Sequence, residues 1–173
     1  MDKRHPNIVN VEDFPWNEPL TPQYTGQDKR VGLRDKWLAY HAGGEQLGCS
    51  IYLLPPGERG FPFHYHLVEE EAIFVLEGEA TLRLGDREIP VRAGDYVTFP
   101  VGPAHAHQLI NTSSAPLYYL GLSTCIEPEL AGQPDSKKIG ILGGSISRDA
   151  NGQPLRQLVR QGESLNYFDG EDD

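Results

Sequence analysis

The sequence predicts an all-β fold, a sandwich or barrel of short strands, on three observations. Glycine and proline, 19 and 14 of them in 173 residues, punctuate the chain too often for long helices. The apolar runs between them are short and rich in β-branched and aromatic residues. Turn residues separate these runs at regular intervals, as in layered or closed antiparallel sheets. The length suits one domain, or one barrel with long extensions.

Each element follows in order. Residues 1–46 read as an extended arm, because Pro6, Pro15, Pro19 and Pro22 sit among polar residues, with a short strand around Trp37–Tyr40. Cys49–Leu54 is a strand stopped by Pro55-Pro56-Gly57. Ala72–Leu76 is a second strand, ended by Gly78. Ala80–Leu84 and Glu88–Val91 form a hairpin about Gly85-Asp86, with Leu82 and Leu84 on one face and Arg83 on the other. Pro90 has no N–H for a ladder, so its strand is expected at an edge or a bulge. Tyr96–Phe99, His107–Ile110 and Leu117–Leu122 complete the strands. The barrel is therefore expected over 47–125, and residues 126–173 read as a looser C-terminal extension with an acidic end.

Composition excludes several classes of function. A net charge of −10 without a Lys/Arg cluster opposes binding to nucleic acid or an anionic membrane surface. No stretch approaches the roughly 20 apolar residues of a membrane span. Met1–Asn10 lacks the apolar run of a secretory signal, and the two cysteines, Cys49 and Cys125, read as small buried hydrophobes, not a disulfide. A cytoplasmic setting is the expectation.

The chemistry-bearing residues are His64, His66, Glu71, His105 and His107. His64 and His66 are two apart, so on a strand both imidazoles face one side. A sharp connection over residues 67–70 brings a carboxylate back beside them. Glu69, Glu70 and Glu71 all offer one, and spacing alone does not choose among them. A later histidine makes three neutral nitrogens and one carboxylate, a set suited to a borderline divalent ion with positions left open.

His64-x-His66, four residues, Glu71, six residues, Gly78 resembles the first motif of the cupins, and its terminal glycine selects Glu71. The opening glycine departs, since Gly57 lies one residue early. After a spacer of fifteen residues, Gly94, Pro100 and Gly102 resemble the front half of the second cupin motif. The stretch from Gly102 to Asn111, with pieces of the tail such as Pro134–Lys137 and Tyr167–Glu171, is similar to a group of small bacterial single-domain cupins without an assigned reaction. The resemblance implies a double-stranded β-helix, the jelly-roll barrel of cupins, and one divalent metal ion: Fe, Mn, Ni or Zn. Counting forward from Gly102 by the motif points to His105 as the last ligand, and counting back from Asn111 points to His107. Two residues move a side chain about 6–7 Å along a strand, too far for both to reach one ion at about 2.1 Å. The turn after Asn111 anchors the backward count, so the expected ligands are His64, His66, Glu71 and His107. His105 is expected at the pocket rim, as a hydrogen-bond donor behind the ligands or a general base, although a plain loop histidine explains it as well. Phe63, Tyr65, Phe74, Phe99 and Tyr119 are cavity-lining candidates, although core packing explains each of them as well.

The resemblance carries over fold and metal but no activity; the leading expectation is a metal-dependent enzyme acting on a small molecule, of the dioxygenase or isomerase/epimerase type found among cupins. The alternative is a non-enzymatic module that binds metal or ligand. Aromatic residues of the arm, Phe14, Trp16, Tyr24 and Trp37, exceed what one barrel needs to cover, so a homodimer is expected.

Overall fold

The computed structural model describes residues 4–18, 32–144, 146, 148–162 and 165–170. Its strands are β1 (Arg34–Trp37), β2 (Leu47–Leu54), β3 (Tyr65–His66), β4 (Glu71–Glu77), β5 (Glu79–Leu84) and β6 (Arg87–Arg92). They continue as β7 (Tyr96–Phe99), β8 (His107–Ile110), β9 (Leu117–Thr124), β10 (Glu129–Gln133), β11 (Lys138–Leu142) and β12 (Arg156–Arg160). One face is a five-stranded sheet in the order β1-β2-β9-β4-β7. The other is β6-β5-β8, extended through a bridge between His64 and His107 to β3-β10-β11-β12. All named pairings are antiparallel.

The core lies between these faces. Leu54, Ile73, Val75, Phe99, Leu117 and Tyr119 from the first sheet meet Leu82 and Leu109 from the second. Burying one such side chain contributes about 1.5–3 kcal/mol. Leu82 is buried while Arg83 turns outward to Asp135, as the alternation predicts. Pro90 sits on β6, an edge strand, where its missing N–H costs no ladder bond. Gly78 has φ +89°, and a Cβ there would stand 2.6 Å from the Pro116 carbonyl oxygen. The motif glycine thus lets the β4–β5 corner close against the start of β9.

Asn111 is fully buried and saturated. Its Nδ2 donates to the carbonyls of Leu54 and Ala115, and its Oδ1 accepts from the N and Oγ of Ser113. This is how the turn after β8 holds the register of that strand.

Three expectations need correction. The strand expected at Trp37–Tyr40 lies earlier: β1 ends at Trp37, where its pairing with β2 stops, and Leu38–His41 is one helical turn, α1. Ala42 and Gly44 donate to the carbonyls of Leu38 and Ala39, which reverses the chain before Gly43-Gly44 can extend. The tail does not loosen at 126. It folds into β10, β11 and β12, which a glycine-bearing, weakly alternating sequence conceals and which pairing with the edge of β3 stabilises. The cysteines are free but not buried, Cys49 being half-buried and Cys125 exposed.

The arm packs on its own barrel where it is described. Lys36 Nζ donates to the Val11 carbonyl and lies over the Trp16 ring, and Phe14 stacks on His41. Tyr24, Pro19 and Pro22 lie outside the described residues.

Candidate metal centre

β3 carries His66 and is preceded by His64, β4 opens with Glu71, and β8 opens with His107. The register explains why they meet. His64 and His107 are cross-strand partners that exchange both backbone hydrogen bonds, at 3.2 and 2.8 Å. Residues 67–70 return the chain from β3 to the start of β4, bringing Glu71 below the histidines.

The ligating atoms of His64, His66 and Glu71 all lie within 4.8 Å of one another. Glu71 Oε2 is the point of convergence: it stands 3.0 Å from His66 Nε2, 3.3 Å from His107 Nε2 and 3.8 Å from His64 Nε2. The His107 ring lies 4.6 Å from that of His64 but 6.4 Å from that of His66, and His107 falls outside the mutually close group of His64, His66 and Glu71. Phe99 stacks on His107 at 3.6 Å and holds its plane.

Each imidazole has an oxygen beside its Nδ1. His64 Nδ1 meets the Pro62 carbonyl at 2.7 Å, His107 Nδ1 meets the His105 carbonyl at 3.1 Å, and His66 Nδ1 faces Glu129 Oε1 at 3.2 Å. Such partners favour a proton on Nδ1 and leave the Nε2 lone pair for a ligand. Both ring nitrogens of His66 are buried, and their contacts with the two carboxylates are short but too bent for hydrogen bonds. Three inward Nε2 atoms, a carboxylate and a buried Nε2 without an aligned partner are a donor set that fits a divalent cation.

Electrostatics follows from this crowding. Burial, then the neighbouring His107 ring, pushes His64 down to about 4, against the pull of Glu71. Burial also opposes a charge on His66, but the Glu71 and Glu129 carboxylates outweigh it and raise that group. Burial works against the Glu71 charge too, yet the facing His107 and His66 hold its carboxyl far below the usual range.

The cleft beside this cluster encloses about 110 Å³ and has an aromatic wall of Tyr52, Phe61, Phe99 and Tyr119. Tyr52 and Tyr119 stack at 5.0 Å. Burial pushes both phenols above the ordinary range, so they stay protonated at neutral pH and can donate hydrogen bonds. Among the described residues, no lysine or arginine lines the cleft.

Of the lining candidates, Phe99 and Tyr119 are present, whereas Phe63, Tyr65 and Phe74 are not. Phe63 is buried under the Arg83 guanidinium instead. Glu70 accepts from Thr98 Oγ1 and is not part of the cluster. His105 does not line the cleft. It closes a 3-10 turn at Pro103–His105, and its backbone carbonyl meets His107 Nδ1. Gln108 lines the cleft and donates its Nε2 to the Phe61 carbonyl. Sequence reading missed Glu129, which stands two residues after Glu127 in an apparently loose tail, and no motif pointed to it.

A double-stranded β-helix with imidazoles and a carboxylate gathered at one cleft defines a cupin-type barrel with a candidate metal site. Residues 50–123 match the family model of the cupin domain, and that segment is the barrel described above. The chain is similar to the polyketide synthase CurC of Streptomyces cyaneus, 27% identical over 158 residues that cover 91% of this chain and 92% of that one. Among solved structures it is similar to a provisionally assigned sugar phosphate isomerase of Acidithiobacillus ferrooxidans, with 26% identity, a TM-score of 0.66, and 85% of this chain and 96% of that one covered. A cupin-superfamily sugar phosphate isomerase of Silicibacter pomeroyi shares the fold, with 24% identity, a TM-score of 0.71 and coverage of 92% and 97%.

Proposed function

We propose that this cupin is a metal-dependent enzyme acting on a small carbonyl compound, by proton transfer of isomerase or cyclase type. The ion would be held by His64, His66, Glu71 and His107. The observation that carries this reading is the convergence of three Nε2 atoms on Glu71 Oε2 beside an aromatic cleft. Such an ion supplies Lewis acidity toward a carbonyl oxygen, or, as Fe(II), an open position for O₂.

The protein's own groups do the rest. Tyr52 and Tyr119 offer a flat apolar wall and phenolic donors to a substrate oxygen. The enclosed volume admits only the reacting end of a larger molecule, with the remainder toward solvent. Two relatives more than a quarter identical carry names for polyketide and sugar phosphate chemistry, and both substrate types bear carbonyls. Among the described residues no lysine or arginine lines the cleft beside the proposed ion, which favours an unphosphorylated carbonyl compound. A homodimer belongs to the same proposal, supported by exposed Tyr40, Leu47, Leu165 and Tyr167.

The test is deuterium exchange at the carbon next to the carbonyl of a simple α-hydroxyketone probe in D₂O, followed by NMR with and without chelator. Metal-dependent exchange above the buffer rate is expected. O₂ consumption by the Fe(II)-loaded protein without exchange would favour the dioxygenase reading. Tight metal binding with neither activity would favour the non-enzymatic module.

A further inference from the structure

Glu129 lies outside the segment that matches the cupin family, on the first strand of the C-terminal sheet. It is 4% exposed, and a carboxylate is that deeply buried only when its oxygens are matched. Oε2 accepts from the Glu69 N–H at 2.6 Å and Oε1 from the Leu67 N–H at 3.2 Å, which fixes the group firmly. Oε1 also stands 3.2 Å from Nδ1 of His66, near enough for its charge to favour a proton there although the contact is not aligned as a hydrogen bond. At Nδ1 the other two imidazoles meet backbone carbonyls, and of the three only His66 meets a carboxylate there.

The surrounding strands hold this contact in place. β3 is two residues long, and β10 pairs with both, Ala131 with His66 and Gly132 with Tyr65. Gly132 is where the Tyr65 ring lies across the backbone, leaving no room for a Cβ. The tail hairpin is clasped at its far end by the bidentate pair of Arg83 with Asp135, at 2.6 and 3.0 Å.

We infer that Glu129 is a positioning residue for the metal centre: it orients His66 and retains the proton on Nδ1, so that the C-terminal extension is a working part of the site. This rests on the ligand set proposed above. An imidazole that gives Nε2 to a metal carries its proton on Nδ1, and a carboxylate beside that proton fixes the ring and strengthens the ligand. Glu129→Gln keeps an oxygen for a backbone N–H but removes the charge facing His66.

The experiment uses full-length, metal-stripped protein titrated with Co²⁺, read by ligand-field absorption and by competition with a chromophoric chelator. Glu129→Gln is expected to bind roughly 10–100-fold more weakly with an altered spectrum, as for lost carboxylate partners of metal-bound histidines. Asp135→Asn, which releases the hairpin at its other end, is expected to bind like the parent. An affinity of Glu129→Gln within about twofold of the parent overturns the inference, as does an equal loss in Asp135→Asn, since either means a merely structural role. Should Glu129→Gln fail to fold, ¹H–¹⁵N correlation of the zinc-loaded parent decides: a proton on His66 Nδ1 supports the inference and one on Nε2 overturns it. A parent that takes up no Co²⁺ overturns the ligand set itself, whatever the variants do.

Discussion

His105 and His107 differ by two positions, and strand pairing gives them different parts. His107 is locked opposite His64 by two backbone hydrogen bonds, whereas His105 ends a 3-10 turn and offers its carbonyl to His107 Nδ1. Under the proposed ligand set, His107→Ala should lose the ion, and His105→Ala should retain it, because the carbonyl survives the substitution. Metal analysis of the two purified variants checks this, and the reverse pattern would make His105 the ligand. Protonation of His64 supplies a second test. Its folded value, about 4, lies below its ordinary 6.5, so the unfolded chain binds the proton more readily. The metal-free protein should therefore lose stability as pH falls from about 6.5 toward 4. The raised His66 works the other way, but its contribution is complete by pH 6.5 and constant below it. Glu71, held low, begins to lose its share only below its ordinary 4.5. Thermal melts between pH 7 and about 4.5 should show the drop in the parent and a smaller one in His64→Gln, and an equal drop in both would remove His64 as the cause.

At the scale of elements, the turn after β8 and the C-terminal hairpin behave differently when cut. Asn111 makes four buried hydrogen bonds that hold the end of β8 to Leu54 and to the Ala115 carbonyl. Asn111→Leu strands several of these partners, each costing about 1–3 kcal/mol when buried and unmet. Denaturant unfolding should show a loss of several kcal/mol, and a loss below about 1 kcal/mol would mean that water takes the place of the amide. The Arg83–Asp135 pair is exposed, and such pairs contribute about 0–1 kcal/mol. Asp135→Asn should move the melting temperature by only a few degrees, within what that small free energy allows. The sheet strands were legible because alternation and turn glycines state them locally: β5 and β6, with Pro90 at the edge, fall where the pattern puts them. β10 to β12 were not, because Leu130-Ala131-Gly132 and Lys138-Ile139-Gly140 have little alternation of their own. They become strands by pairing with β3 and each other.

For the whole molecule, assembly is the open property that composition and structure both address. Leu165, Tyr167 and Phe168 are each more than two-thirds exposed, and β12 is an exposed edge. Light scattering is expected to return twice the chain mass of 19.2 kDa at micromolar concentration, and a monomer mass would reject the dimer. The sequence by itself determined the all-β class and the barrel strands, since periodicity and turn chemistry are local facts, while its cupin resemblance, not spacing alone, singled out Glu71 beside the histidines. Tertiary structure alone decided that His107 stands opposite His64, that the His105 carbonyl meets His107 Nδ1, and that Glu129 reaches His66 from 63 positions away. Those relations depend on which strands pair and in what register. Pairing is settled by the packing of the whole barrel, and no short window of sequence contains it.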